Sequence, residues 1–164
     1  MINGARKTLT LQFLSYSSFD RQGGRYESVD IAIRDAARCG VKVRMIVSDW
    51  EKGSPSVGAL KDLSGIRNIE VAFTSIPDWS GGYIPFARVE HCKYMVADSQ
   101  RFWLGTSNCE KSYFDSSRNL GVVCTSARLA GTLAGIFDKS WNSPYRQMKS
   151  RDGEYPAREH GERK

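Results

Sequence analysis

Apolar residues are distributed along this chain in two periods, and the two alternate. Residues 9–16, Leu-Thr-Leu-Gln-Phe-Leu-Ser-Tyr, place an apolar side chain at every second position before becoming continuously apolar, the pattern of a half-buried strand. Residues 41–47, Val-Lys-Val-Arg-Met-Ile-Val, and residues 69–73, Ile-Glu-Val-Ala-Phe, read the same way. Between the first two strands, Ser28 opens a helix that runs to about Cys39. Its buried face comes from Val29, Ile31, Ile33, Ala36 and Ala37, and Gly40 stops it. A shorter helix fits residues 56–63. Further on, Leu120-Gly121-Val122-Val123-Cys124 predicts a buried strand, and Ser126 then caps a helix reaching about Trp141. Strand–helix–strand units of this kind predict an α/β fold: a mixed, largely parallel sheet flanked by helices on both faces.

The middle of the chain departs from that alternation. Residues 75–85 form a long loop containing Trp79 and Tyr83, whose rings either anchor the loop or contact a ligand. Two short apolar runs follow, Tyr94-Met95-Val96 and Phe102-Trp103-Leu104, joined near Asp98-Ser99-Gln100 and predicted to be paired strands. If the first strand includes His91 and Lys93, their spacing of two puts both side chains on one face and sends Cys92 into the core behind them.

An imidazole and an ammonium on one face suit a phosphodiester. Lysine supplies fixed positive charge to phosphoryl oxygens, and histidine attacks phosphorus or moves a proton near neutral pH. Asn108, after the second strand, offers an amide donor to the same oxygens, Thr106 a hydroxyl, and Gly105 a close backbone approach. The full pattern is His-x-Lys, four residues, Asp98, six residues, then Gly105-Thr106-Ser107-Asn108. Its chance occurrence per start position is on the order of 10⁻⁷, which sets it apart from an isolated histidine in a strand.

This pattern resembles the HKD signature of the phospholipase D superfamily of phosphodiesterases. The likeness continues through Ile84-Pro85-Phe86-Ala87-Arg88-Val89-Glu90 before the motif, Ser112-Tyr113-Phe114 after it and Phe137-Asp138-Lys139-Ser140-Trp141-Asn142 near the end. It is similar to the C-terminal half of the branch holding the endolysosomal 5′-exonucleases and the poxviral envelope phospholipase. The resemblance implies a catalytic set of His91, Lys93, Asp98 and Asn108, with Gly105, Thr106, Ser107 and Asn119 binding substrate, and a phosphohistidine intermediate formed without metal or cofactor. Two positions depart from the pattern. Asn119 stands where single-motif members carry an acidic residue, and Cys109 stands where this branch often has tryptophan.

The chain holds one motif, although the chemistry uses two histidines. The second is expected from a twofold-related copy or from an N-terminal half. The expected substrate is single-stranded nucleic acid. The alternatives are a phospholipase or phosphatidyl transferase acting on lipid, and a truncated half-domain without catalysis.

Composition changes this picture little. The 164 residues, 40% hydrophobic and 26% charged, suit one soluble domain, placed at residues 8–146. A net charge of +6 and a pI near 9.3 favour polyanions. No run of about 18 apolar residues is present, which argues against a membrane span, and Met1 to Lys7 lack a signal-peptide core. The chain is therefore expected to be soluble, with its location open. Cys39, Cys92, Cys109 and Cys124 form no C-x-x-C and are read as free thiols. Residues 147–164 are charged and are expected to be a disordered tail, so His160 within them is read as non-catalytic.

Overall fold

The computed structural model describes residues 1–20 and 22–157. Strand β1 (Thr8–Phe13), helix α1 (Ser28–Arg38), β2 (Lys42–Ser48), α2 (Val57–Ser64) and β3 (Ile69–Thr74) follow one another as the periodicity predicts. After the long loop come β4 (Tyr94–Ala97), β5 (Arg101–Gly105), the short α3 (Lys111–Asp115), β6 (Gly121–Thr125), α4 (Ala127–Trp141) and β7 (Arg146–Met148). The strands form one sheet in the order β6-β5-β4-β1-β2-β3-β7.

Helices cover both faces. On one, Leu9, Leu11, Phe13, Met45 and Val71 pack with Ile33 and Ala37 of α1 and Leu60 and Leu63 of α2. On the other, Ile46, Ala72, Tyr94, Val96 and Phe102 pack with Ala130, Phe137 and Trp141 of α4. The middle of β2 is covered on both sides, which is why Met45-Ile46-Val47 is continuously apolar. Gly40 ends α1 at φ +88, and the Ser126 hydroxyl caps α4 by accepting from the Leu129 amide at 3.4 Å.

The sheet is less parallel than expected. β1–β2 and β2–β3 are parallel, but β1–β4, β4–β5, β5–β6 and β3–β7 are antiparallel. The reason is local. Asp98 and Ser99 both have positive φ, 56° and 52°, and the Gln100 amide donates to the Ala97 carbonyl at 3.0 Å. This is a type I′ turn, whose twist suits a hairpin, so β4 and β5 must run antiparallel.

Three other expectations change. β6 is an edge strand rather than a buried one: Val122 and Val123 are exposed, and Leu120 just before it is 72% exposed. Cys92 is exposed, and the buried thiol is Cys109; all four cysteines are free. The start of the supposed tail continues the sheet. β7 pairs with β3, the Lys149 amide donates to the Val71 carbonyl at 2.8 Å, and the Tyr155 ring packs 5.2 Å from Phe73. His160 lies outside the described residues. No helix among the described residues is long and apolar enough to cross a membrane.

Candidate active site

Strand direction decides where the chemistry collects. β1, β2 and β3 run parallel, β4 opposes β1, β5 opposes β4 and β6 opposes β5. The C-terminal ends of β1, β2, β3 and β5 therefore meet the N-terminal ends of β4 and β6 along one rim of the sheet. His91 and Lys93 enter β4 there, and the segment from Thr106 to Asn108 leaves β5 beside them.

His91, Cys92 and Lys93 lie in the extended segment before β4, not within the strand as expected. His91 is exposed, while Lys93 is 8% exposed and its ammonium donates to the His91 carbonyl at 2.9 Å. Burial holds the Lys93 pKa below the ordinary lysine value, against the pull of Cys92 and Glu90. Glu90 is buried just before the histidine. It accepts from the Thr74 hydroxyl at the end of β3, 3.2 Å, and from the Cys92 amide, 3.4 Å. It pins the histidine's segment to the rim and lends Lys93 a nearby negative charge. Sequence reasoning passed over it, although a carboxylate directly before the motif histidine was the available signal.

Gly105 closes β5. Its amide donates to the Lys93 carbonyl at 3.1 Å, which ties the two motif segments together. A side chain here would meet the Leu120 carbonyl at 2.6 Å, so its close approach is to its own chain. Thr106 and Asn119 are likewise occupied with the loop that joins β5 to β6. The Thr106 hydroxyl donates to the Asn119 carbonyl oxygen at 2.9 Å, and the Asn119 amide donates to the Tyr113 carbonyl and the Ser117 hydroxyl. Oδ1 and Nδ2 of Asn119 are both engaged, and these bonds hold the loop's shape.

Asn108 differs. It is 1% exposed, Ser107 beside it is also buried, and neither Nδ2 nor Oδ1 makes a hydrogen bond among the described residues. A buried amide with both ends unpaired costs on the order of 1–3 kcal/mol. It is held in place by the next residue. The Cys109 carbonyl accepts from the Ser17 amide at 2.9 Å where the chain leaves β1, and Tyr16 there bonds Asp30 of α1 through its hydroxyl.

Asp98, expected in the catalytic set, lies at the other end of β4 from Lys93. Its carboxylate accepts from the backbone amides of Arg6, Lys7 and Thr8 at 2.7–2.9 Å. Burial pulls its pKa up, but these bonds prevail and keep it below the ordinary aspartate value. It acts on the start of β1.

Two further carboxylates sit at the rim. Glu110 accepts from the Ser15 hydroxyl, and Glu51 is buried at the end of β2. Burial first, then the Glu110 charge, pushes the Glu51 pKa up to about 7. Beside Glu110 lies a cavity of about 510 Å³ walled by Phe19, Asp20, Lys111, Tyr113 and Asp115. His91, Lys93 and Asn108 do not line it.

One rim of the mixed sheet thus carries an exposed histidine, a sheltered lysine and an unpaired buried amide. A family model described as "Cardiolipin synthase, PLD-like domain" matches residues 1–141. "Phospholipase D Z" of Dictyostelium discoideum is 35% identical over 150 residues, covering 88% of this chain and 35% of the relative. "5'-3' exonuclease PLD3" of Rattus norvegicus is 31% identical over 160 residues, covering 88% and 33%. Among solved structures, "NucT from Helicobacter pylori" superposes with a TM-score of 0.71 at 19% identity, covering 87% of this chain and 83% of that one. The chain belongs to the phospholipase D superfamily. It spans about a third of the length of these curated relatives.

Proposed function

We propose that this chain supplies one half of a metal-independent phosphodiesterase site acting on single-stranded nucleic acid. The observation that carries the reading is Asn108, a buried amide with no protein partner among the described residues, three residues after the Gly105 amide that bonds the Lys93 carbonyl. A phosphoryl oxygen would accept from its Nδ2.

In the proposed reaction one histidine nitrogen attacks phosphorus and the bond to the leaving oxygen breaks. A second histidine protonates that oxygen. Water then attacks the phosphohistidine, passing its proton to the second histidine as the P–N bond breaks. Lys93 and Asn108 hold the non-bridging oxygens throughout. In-line displacement needs groups on both sides of phosphorus, and His91 occupies one side. The second motif comes from a twofold-related copy or from a preceding half of a longer protein. The exposed apolar edge at Leu104, Leu120, Val122 and Val123 supports a covered face on the active molecule.

The similarity to a relative named as a 5'-3' exonuclease and the pI near 9.3 support a nucleic-acid substrate. The 35% identity to a relative named phospholipase D supports the second reading, a lipid phosphodiester. Hydrolysis of an aryl phosphodiester tests the chemistry common to both. His91→Ala should abolish turnover, Lys93→Ala should lower it by about 10²–10³-fold, and chelators should have no effect. Activity lost in EDTA and restored by a divalent ion would contradict the mechanism.

A further inference from the structure

The loop between β3 and β4 presents its aromatic rings in an order the sequence does not suggest. Trp79 serves the loop itself: a side chain at Gly81 would stand 2.1 Å from its ring, and the Gly82 amide donates to the Trp79 carbonyl at 2.9 Å. Tyr83 also has interactions of its own. Phe86 is 82% exposed, the highest value among the described large apolar side chains, and it lies five residues before His91.

Its backbone is unusual as well. Phe86 has φ 61°, a left-handed conformation that crowds a bulky side chain, and Arg88 has φ 52°. Burial does not offset that cost, because the ring stays in solvent. The conformation is held from its flanks: the Arg88 guanidinium donates to the Pro77 carbonyl, and the Ala87 amide donates to the Ile84 carbonyl at 3.2 Å. One partner steadies the ring. Trp50, in the turn that ends β2 at the same rim, meets it at 6.0 Å between centroids and 72° between planes. An edge contact of this kind fixes the attitude of the Phe86 ring and leaves aromatic surface open.

We propose that Phe86, backed by Trp50, is the stacking platform for a nucleobase next to the scissile phosphodiester. The proposal rests on the reading of the site as one for single-stranded nucleic acid and adds the residue that grips the strand. An exposed ring five residues before His91, braced by Trp50, suits a planar base, since stacking tolerates any base and needs no hydrogen-bond code. An acyl chain would instead need a continuous apolar trough, and Phe86 is followed within two residues by cationic Arg88.

Binding of a single-stranded oligonucleotide carrying 2-aminopurine tests this without turnover if His91→Ala is used as the parent. Binding should quench the fluorophore. Adding Phe86→Leu, which keeps an apolar side chain but removes the ring, should abolish most of the quench and weaken binding about tenfold. Phe86→Tyr should restore both. An oligonucleotide of the same length with abasic sites should bind the parent and the Phe86→Leu chain equally. Unchanged quench and affinity in Phe86→Leu would overturn the platform while leaving the nucleic-acid reading standing. No oligonucleotide binding by the parent, with binding to phosphatidylcholine–phosphatidylglycerol vesicles that depends on Phe86, would overturn both in favour of a lipid surface.

Discussion

The rim of the sheet combines side chains that stabilise the fold with one that works against it. Glu90, Thr106 and Asn119 have hydrogen-bond partners that hold the site's segments in place. Asn108 has neither of its amide atoms paired among the described residues and is almost fully buried. Such a residue is retained at a cost in stability when it has a ligand to meet. Asn108→Leu is nearly isosteric and removes the unpaired amide. Denaturant unfolding should show the variant more stable by about 1–3 kcal/mol, and phosphodiester hydrolysis should be lost. A variant less stable by a similar amount would mean that the amide is paired in the folded protein, and the oxygen-binding role would fall with it.

Among the elements, β4 separates the motif residues into two groups, one at each of its ends. Lys93 enters the strand at the rim, whereas Asp98 leaves it at the far end and binds three amides at the start of β1. Asp98→Ala should therefore destabilise the fold by about 2 kcal/mol in denaturant titration while leaving turnover per folded molecule unchanged. A normal unfolding midpoint with lost turnover would return Asp98 to the chemistry. The sequence made much of this layout readable, because His91, Lys93 and Asn108 hold fixed spacings around two short apolar runs. Spacing did not show that Asp98 lies at the far end of β4, bound to the amides of Arg6, Lys7 and Thr8. The type of turn between β4 and β5 was hidden in the positive φ of Asp98 and Ser99, neither of which is glycine. β6 looked buried because Val122 and Val123 give this exposed edge strand the composition of a core strand. Gln147 and Met148 looked like a tail because a three-residue edge strand shows too little alternation to read.

Taken whole, the fold presents one histidine at the proposed site's rim among the described residues. The apolar residues of β6 and Leu120 lie open at the sheet's edge. A partner half across the site would account for both features, and the proposed reaction then makes activity depend on assembly. Specific hydrolysis of an aryl phosphodiester, followed over a dilution series whose oligomeric state is measured by light scattering, separates the possibilities. The specific activity should rise and fall with the fraction of the two-motif species, and it should vanish where the chain is monomeric. Robust hydrolysis by a strictly monomeric sample would contradict this account of the site.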